Sequence, residues 1–369
     1  MNIEIDPTLR AQFVDIGGRM RRNPLYSRLC AVAGDEPLAV EILSAAPLAQ
    51  RRPVMLLAAI HDVVLRGSDA PLAAWYPSRH GAHAIDALPD GRALANALRQ
   101  FCAEHRDELL DLVTTRSVQT NEVGRSAVLA PAIASSDSHQ PRALIELGSS
   151  GGLNLFMDRY RIAYRGVEGR ERCIGPNESS LTLTCDISRG AHNPPFTMAP
   201  MGSRFGFDRN PLHIDHVDDA RWLEACVWAD DLERFEQLRI AIDLVASLHP
   251  DVRAADLADA SFADLLESAV DATPQDQLPT IVHSWVMAYL DPDAQSRLAD
   301  VIASIAATRD LDWIVFEPPS QVRGLRIDEL GAGDADMLAR VSYRSGRRSV
   351  AVLATVHSHG RWMAWQHVV

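Results

Sequence analysis

The chain has 369 residues, of which 47% are hydrophobic and 23% are charged, so it is long enough for one large globular domain or two ordinary ones. Its formal net charge is −13, which excludes an overall positive field able to attract nucleic acid or an anionic membrane. The sequence contains no lysine, which excludes a Walker-type phosphate loop and lysine Schiff-base chemistry.

The first part of the chain has a helical pattern. From Glu36 to about Ser135, apolar residues recur at three- and four-residue spacing, and Pro and Gly residues separate the segments. This spacing predicts an all-helical N-terminal domain over residues 1–140, which serves as a lid or binds the substrate. The predicted helices are Pro37 to Leu48, Arg51 to Leu65, Arg92 to Cys102, Asp107 to Thr115 and Glu122 to Ala134.

Beyond residue 140, short apolar runs alternate with amphipathic helices, a pattern typical of βα units and a parallel sheet. The predicted strands are Ala143 to Leu147, Leu181 to Cys185, Ser203 to Asp208, Asp251 to Ala255, Thr280 to Ser284 and Leu311 to Glu317. The predicted helices among them are Arg221 to Ser247, Ser261 to Ala269 and Ala294 to Ala306.

The end of the chain has the pattern of antiparallel hairpin strands, at Val341 to Arg344, Ser349 to His357 and Trp362 to His367. A stretch over about residues 165–201 is rich in Gly, Pro, Asn and Ser and predicts an irregular insertion. We therefore predict an α/β, Rossmann-like domain over residues 141–369, with a mostly parallel sheet and an antiparallel final hairpin.

The cysteines and the apolar runs bear on the cellular compartment. The five cysteines are scattered and odd in number, without a C-x-x-C pair, which predicts buried thiols in a reducing compartment. The N-terminus lacks the pattern of a secretory signal, and apolar runs such as Pro53 to Ile60 are too short to span a bilayer. We expect a cytoplasmic protein that binds neither membrane nor nucleic acid.

The segment from Ala143 to Asp158 carries the most specific motif. An apolar strand leads into a turn from Gly148 to Gly152, and an apolar-periodic helix follows directly. Such a turn lets the backbone approach a ligand closely and points a helix N-terminus at it. The spacing of its residues discriminates among the ligand classes that use this geometry.

Two of these classes fit only in part. A dinucleotide site needs G-x-G-x-x-G, but Ser150 and Leu153 stand where two of the three glycines belong. A nucleophile elbow needs G-x-S-x-G, which Gly148 to Gly152 matches with Ser150 as the nucleophile. An α/β hydrolase would have several strands and an oxyanion loop before the elbow, and the preceding residues are predicted helical.

The third match is E-x-G-x-S-x-G, with an acidic residue near the strand end. Here the sequence resembles motif I of the class I S-adenosylmethionine-dependent methyltransferases. The resemblance implies a seven-stranded sheet and S-adenosylmethionine as cofactor, with the glycine loop around its methionine part and the acid ordering the loop or contacting the amino group. The cofactor-binding residues it implies in this segment are Glu146, Gly148, Ser149, Ser150, Gly152 and Asn154.

A cofactor that contains adenosine needs a carboxylate for its ribose hydroxyls, normally at the end of the next strand. Asp208, in the sequence Gly-Phe-Asp-Arg-Asn-Pro, lies in a context similar to methyltransferase motif II. It lies much further along the chain than the roughly 20 residues expected of a compact βαβ unit, so Asp186 is the alternative.

Later strand ends supply further candidates. The resemblance implies adenine contacts from Asp256 and Leu257, and it places His283 and Ser284 at the motif IV position beside the transferred methyl group. We predict His283 as a catalytic base. Because the Asn/Asp-Pro-Pro-Tyr form of the amino methyltransferases is absent, methylation of a planar amino group is not indicated.

The densest polar cluster of the helical part lies between residues 116 and 125 and offers fixed hydrogen-bond donors and one acid, which suits a small polar substrate. We predict Glu122 as a second candidate base. The predicted substrate-binding residues are Tyr76, Arg116, Gln119, Asn121 and Arg125. A network that braces the two domains is the alternative interpretation of the same residues.

A metal site is not predicted. The histidine pairs His213 and His216, and His357 and His359, lack the spacing of known metal-binding motifs. Glu317, which ends the last predicted parallel strand, is a further candidate for the lining of the pocket.

The whole layout also resembles an uncharacterised bacterial family that carries only a domain-of-unknown-function label. The resemblance rests on RSVQTNEVGR, ELGSSGGLNL, D-x-N-P-L and VHSWVMAYL, and covers nearly the full chain. It supports the two-part layout and implies no activity.

Methyl transfer from S-adenosylmethionine to a small polar molecule is therefore the leading interpretation. The first alternative is a serine hydrolase that uses Ser150 with Asp256 and either His283 or His357. The second is a catalytically inactive Rossmann-like protein that binds a ligand without turnover.

Overall fold

The computed structural model describes residues 7–20, 22–166 and 170–366, and the chain divides into two compact units. The first unit consists of the chain up to Thr120 together with His216–Arg239. The second consists of Asn121–Asp215 and the chain from Ile240 onward. The domain division predicted between residues 140 and 141 stays a prediction.

Helices dominate the first unit and flank the sheet of the second. In the described part of the chain, the α-helices are α1 (Pro7–Arg19), α2 (Pro24–Ala33), α3 (Pro37–Ser44), α4 (Pro53–Leu65), α5 (Pro77–His80), α6 (Gly91–Glu104), α7 (Arg106–Thr115), α8 (Ser126–Ala134), α9 (Val217–Ala225), α10 (Leu232–Val245), α11 (Phe262–Asp271) and α12 (Pro292–Ile305).

The predicted helices of the N-terminal part are confirmed in place, with ends that shift by a few residues. The sequence analysis missed α1 and α2, although proline begins both helices, a common first helical position. The single helix predicted from Arg221 to Ser247 is wrong, because the chain turns between α9 and α10. The Asp231 carbonyl accepts the Phe235 N–H and starts the new helix.

The strands all belong to one sheet. They are β1 (Arg142–Leu147), β2 (Arg161–Arg165), β3 (Glu171–Ile174), β4 (Thr182–Ile187), β5 (Met201–Asp208), β6 (Val252–Ala254), β7 (Leu278–Ser284), β8 (Leu311–Glu317), β9 (Met337–Arg344), β10 (Arg347–Val356) and β11 (Trp362–Trp365). Their order across the sheet is β3-β2-β4-β11-β10-β9-β8-β7-β1-β5-β6. His367, the predicted end of the last strand, lies outside the described residues.

A block of five parallel strands, β6-β5-β1-β7-β8, forms one side of this sheet. From β1 the chain adds β5 and then β6 on one side, and it then returns to the other side of β1 to add β7 and β8. The direction in which strands are added therefore reverses between β1 and β7. In open α/β sheets, ligands bind outside the carboxyl ends of the strands at such a reversal. The fold therefore places the end of β1 where a ligand site is expected.

The expectation of seven strands is wrong, since the sheet has eleven over the residues that the structure describes. β9 and β10 form the predicted antiparallel hairpin, but β11 continues the sheet by pairing parallel to β4. The predicted irregular insertion supplies β3 and β4. Buried and exposed residues alternate along β4, as in a strand with one covered face.

The two faces of the parallel block have different neighbours. Ile145, Leu147 and Val315 belong to an apolar core that they share with α11 and α12. Successive side chains of a strand point to opposite faces, so Glu146 and Ser284 belong to the other face. There α8 packs against β8 and β9.

Candidate functional site

The turn after β1 has left-handed backbone at three positions, and two of them are glycines in close contact with neighbouring atoms. The φ angles of Gly148, Ser150 and Gly152 are 73°, 54° and 74°, in the left-handed region. A Cβ atom on Gly148 would lie 2.4 Å from Val286 Cγ2, and one on Gly152 would lie 2.9 Å from the Cβ of Pro250. Backbone conformation and close packing both exclude larger residues at these two positions.

Asp208 holds this turn to the neighbouring strand β5. Its Oδ2 accepts the Ser150 N–H at 2.8 Å, and its Oδ1 accepts the Asn210 N–H at 2.8 Å. An ionised carboxylate has about four lone-pair positions, so each oxygen can accept a second donor. The predicted alternative, Asp186, lies on β4 beside Trp362, across the sheet from β1. The structure therefore places Asp208 beside the turn.

Glu146 lies buried below the turn, near the end of β1, and its Oε2 has no hydrogen-bond donor among the described residues. Burial raises the pKa of Glu146 to about 8, although a hydrogen bond from Asn154 and the positive charge of Arg125 oppose this shift. Asn154 in turn accepts a hydrogen bond from Ser126 Oγ at 2.8 Å, which orients its amide. Glu146 therefore has one buried carboxyl oxygen, Oε2, without a hydrogen-bond donor among the described residues, and it lies where the strand order reverses.

Asn121 and Arg125 bring the residues before α8 to the same place. Asn121 Oδ1 accepts the Leu153 N–H, directly after the glycine turn, at 3.2 Å. The Arg125 guanidinium donates to the Ser284 carbonyl at 3.0 Å and to the Ser358 carbonyl at 3.0 Å. Two of the predicted substrate residues therefore lie with Glu146, Asn154 and Ser284, and they reach this position through hydrogen bonds that the sequence does not reveal.

Glu122, one of the two predicted bases, is buried and paired. Its Oε2 lies 2.9 Å from His359 Nδ1, and its Oε1 accepts the Gly124 N–H at 3.2 Å. The carbonyl of His359 lies so close to Gly124 that a Cβ there would be 2.4 Å away. The histidine comes from the loop before β11, so the fold brings this carboxylate and imidazole together from distant parts of the chain.

His283, the other predicted base, faces the opposite side of the sheet from Glu146. It pairs in register with Leu147, and its Nδ1 lies 2.9 Å from Glu317 Oε1. The same carboxylate oxygen accepts the backbone N–H groups of Val286 and Met287. His283 is buried, and its Nε2 has no partner in the described part of the chain. The structure therefore separates the two predicted bases.

Asp256 and Leu257 do not contact the glycine turn through any described hydrogen bond or ion pair. Asp256 forms an ion pair with Arg209 at 2.8 Å, and its side chain is 40% exposed. Leu257 is buried in the apolar core with α11 and α12. The structure gives both residues a local role at the end of β6.

The remaining predicted substrate residues belong to the first compact unit. Arg116 forms an ion pair with Asp219, and the Gln119 N–H lies 3.5 Å from Cys226 Sγ. Tyr76 is fully buried, and its hydroxyl has no partner among the described residues. The predicted cluster is therefore divided between two units.

The described residues do not assemble the triad of the hydrolase alternative. Ser150 Oγ and His283 Nε2 each lack a hydrogen-bond partner in the described part of the chain, so they are not bonded to each other. His357 Nδ1 accepts the His359 N–H, and Asp256 is engaged by Arg209. Serine hydrolase chemistry needs a nucleophile, a base and an orienting acid in mutual hydrogen-bond contact. The described residues do not show these contacts.

The described residues contain no group of three or more His, Cys, Asp or Glu side chains placed to hold a metal ion. None of their helices is both long and apolar enough to cross a membrane.

Comparison with known proteins gives a family. A family model described as an uncharacterized protein conserved in bacteria, DUF2332, matches residues 10–365. No curated protein matches the chain.

Proposed function

The chain belongs to the DUF2332 family, and we propose that it is an S-adenosylmethionine-dependent methyltransferase that acts on a small polar molecule. The proposal starts from the position of the glycine turn. This turn follows β1 at the reversal of strand order, which is where ligands of open α/β sheets bind.

The unsatisfied oxygen of Glu146 is the observation that carries the proposal. A buried carboxylate oxygen without a donor is costly, and a cationic ligand group removes that cost. The methionine part of S-adenosylmethionine ends in an ammonium group, which provides the missing donor and the compensating charge. The residues present therefore fit this cofactor.

Three parts of the chain would hold the cofactor. Glu146 would accept its ammonium group, the backbone from Gly148 to Gly152 would surround the methionine part, and Asp208 would use its remaining lone pairs for the ribose hydroxyls. The bound cofactor supplies an electrophilic methyl group. The protein contributes mainly by placing the acceptor atom in line with that group and excluding water.

An acceptor that carries a proton also needs a base. Of the two candidates, we assign this role to Glu122 with His359, because Glu122 follows Asn121, whose side chain binds the residue after the turn. His283 lies on the other face of the sheet, where Glu317 holds it among apolar residues. We assign His283 to the support of the β7 end rather than to proton transfer.

Calorimetric titration tests the cofactor. We expect saturable binding of S-adenosylmethionine and S-adenosylhomocysteine, and none of NAD. Glu146→Gln should weaken S-adenosylmethionine binding by about tenfold to a hundredfold, because it removes a charge-assisted hydrogen bond. The matched control is Glu317→Gln, an equally buried carboxylate on the opposite face, which should leave the affinity unchanged.

Two results would contradict the proposal. One is a folded wild-type protein that binds neither S-adenosylmethionine nor S-adenosylhomocysteine. The other is covalent labelling of Ser150 by a fluorophosphonate, which would favour the hydrolase. Once binding is measured and an acceptor is found, Glu122→Gln should lower kcat and leave the dissociation constant of the cofactor unchanged.

A further inference from the structure

The connection between β10 and β11 is a tight loop that carries two histidines, His357 and His359. The His357 N–H donates to the Trp362 carbonyl at 3.0 Å, and the Gly360 N–H donates to the His357 carbonyl at 2.8 Å. These two hydrogen bonds close the loop on itself. We call residues 357–361 the histidine loop, and its backbone gives the two imidazoles a defined direction.

His359 is held at three of its atoms. Its N–H donates to His357 Nδ1 at 3.0 Å, and its own Nδ1 lies 2.9 Å from Glu122 Oε2. Its carbonyl packs against Gly124, where a Cβ atom would not fit. The imidazole is therefore oriented by the fold before any ligand binds, as a group that acts on a ligand needs to be.

The two members of this ion pair differ in exposure. The His359 side chain is 33% exposed, whereas that of Glu122 is only 4% exposed. Both oxygens of Glu122 already have partners, since Oε2 faces His359 and Oε1 accepts the Gly124 N–H. His359 Nε2 forms no hydrogen bond to any residue that the structure describes. A bound molecule can therefore reach His359, and Glu122 lies behind it.

This contact also decides which nitrogen of His359 can take a proton. An ionised carboxylate only accepts hydrogen bonds, so a neutral imidazole facing Glu122 carries its proton on Nδ1 and keeps the lone pair on Nε2. The negative charge of Glu122 stabilises the imidazolium that forms once Nε2 takes a proton. The pair thus has the arrangement in which a carboxylate orients a histidine base.

The histidine loop lies at the edge of the sheet that carries the glycine turn. Arg125 Nε donates to the Ser358 carbonyl at 3.0 Å, and Arg125 Nη1 donates to the Ser284 carbonyl at 3.0 Å. One guanidinium therefore joins the histidine loop to the end of β7, the strand beside β1. This places His359, the neighbour of Ser358, next to the proposed cofactor site.

Aromatic rings continue from His359 along the surface. The ring centroids of His359 and His357 lie 5.6 Å apart, and those of His357 and Trp362 lie 6.2 Å apart. All three side chains are partly exposed, and Trp362 is 37% exposed. Aromatic rings pair favourably with other rings, so the surface beside Nε2 suits a planar aromatic molecule.

We propose that the methyl acceptor is an aromatic molecule with a hydroxyl group, and that His359 Nε2 takes the proton of that hydroxyl. The inference rests on the proposed methyl transfer and names its acceptor class. The acceptor oxygen forms a bond to the methyl carbon, the O–H proton passes to Nε2, and the electron pair of the broken S–C bond stays on sulfur. His359 is then a catalytic residue, and Glu122 is the residue that positions it.

4-Nitrophenol tests the inference without S-adenosylmethionine, because its ionised form absorbs at a longer wavelength than its neutral form. Titration of the full chain at a pH just below the pKa of the free probe should produce saturable nitrophenolate absorption. 4-Nitroanisole, which has no hydroxyl proton, should produce no such band. A wild-type protein that gives no saturable nitrophenolate signal would overturn the inference.

Two substitutions separate proton transfer from folding. His359→Gln should abolish the nitrophenolate signal, because it removes the accepting nitrogen. Glu122→Gln should lower the ratio of nitrophenolate to bound nitrophenol by about tenfold, because it removes the charge that stabilises the imidazolium. A merely structural role of Glu122 would change the unfolding midpoint and leave this ratio unaltered, which would overturn its assignment.

His249→Gln is the matched control. His249 Nδ1 lies 3.2 Å from Asp215 Oδ2, and its side chain is 74% exposed, so it forms a second exposed pair of histidine and carboxylate outside the histidine loop. Its substitution should leave the nitrophenolate signal unchanged. An unchanged signal in His359→Gln, or an equal loss in His249→Gln, would overturn the inference. Because this titration contains no S-adenosylmethionine, its failure is distinguishable from failure of the cofactor experiment.

Discussion

The glycine turn after β1 and the pair of Glu122 with His359 are two regions of the second unit that differ in how far the sequence reveals them. The turn and Glu146 lie within a continuous stretch of seven residues. Glu122 and His359 come from distant parts of the chain and meet at 2.9 Å. A local motif can be recognised from spacing, but convergence of distant residues can be recognised only in the folded chain.

The largest effect that we expect from this comparison is the pH dependence at Glu146. The pKa of this carboxyl rises from 4.5 in the unfolded chain to about 8 in the folded protein, so folding favours its protonated form. Its contribution to stability is complete below pH 4.5 and is lost as the pH rises through 8. The loss amounts to about 4 to 5 kcal/mol.

Urea unfolding of the ligand-free protein between pH 4.5 and 9 measures this loss. Glu146→Gln, which stays neutral, should remove the trend over that range. If the free energy of unfolding changes with pH in the same way for the wild-type protein and for Glu146→Gln, the folded protein does not hold this carboxyl in its neutral form.

The second prediction concerns the packing of the turn. Gly148→Ala should destabilise the protein by about 2 to 5 kcal/mol, because it combines left-handed backbone strain with a Cβ placed 2.4 Å from Val286 Cγ2. Gly190→Ala is the control, with a similar φ of 80° and open space around the added Cβ. Its cost should stay at about 1 to 2 kcal/mol. Equal costs in urea unfolding would contradict the close packing of the turn.

The third prediction has the opposite pH dependence and belongs to the first unit. The pKa of His61 falls from 6.5 to about 4 on folding, so folding favours the neutral ring. Its contribution to stability is present above pH 6.5 and is lost as the pH falls through 4, by about 3 kcal/mol. An NMR titration of the His61 ring checks this, and an apparent pKa near 6.5 in the folded protein would disprove it.

The smallest effect is expected at the end of β6. Asp256→Ala removes an exposed ion pair with Arg209, and pairs of this kind contribute about 1 kcal/mol or less. Thermal unfolding should therefore change little. A loss of several kcal/mol would mean that the Ala258 N–H, which Asp256 also accepts, is essential for this end of the sheet.

The sequence predicted much of the local structure correctly. Leu311–Glu317 is the predicted strand, and β1, β5 and β7 differ from their predictions by one or two residues at the amino end. These strands are recognisable because continuous apolar runs between turn residues are typical of buried parallel strands. The helices α1 and α2 were missed although both begin with proline.

The candidate site was only partly predictable. The contiguous motif indicated Glu146 and the glycine turn, and the choice between Asp208 and Asp186 required the strand order. The pairing of Glu122 with His359 joins residues 237 positions apart, a separation at which no pattern of spacing applies. The placement of His283 on the face opposite to Glu146 followed only from the register of β7 against β1.

The sequence by itself determined the mixed α/β class and the tight turn after the first strand, because these depend on short-range periodicity and on the backbone freedom of glycine. Only the tertiary structure decided the eleven-stranded sheet, the face to which each strand-end side chain belongs, and the pairing of Glu122 with His359. The physical reason is that strand pairing and the burial of polar atoms depend on contacts between residues far apart in the chain, which hydrophobic patterning does not specify.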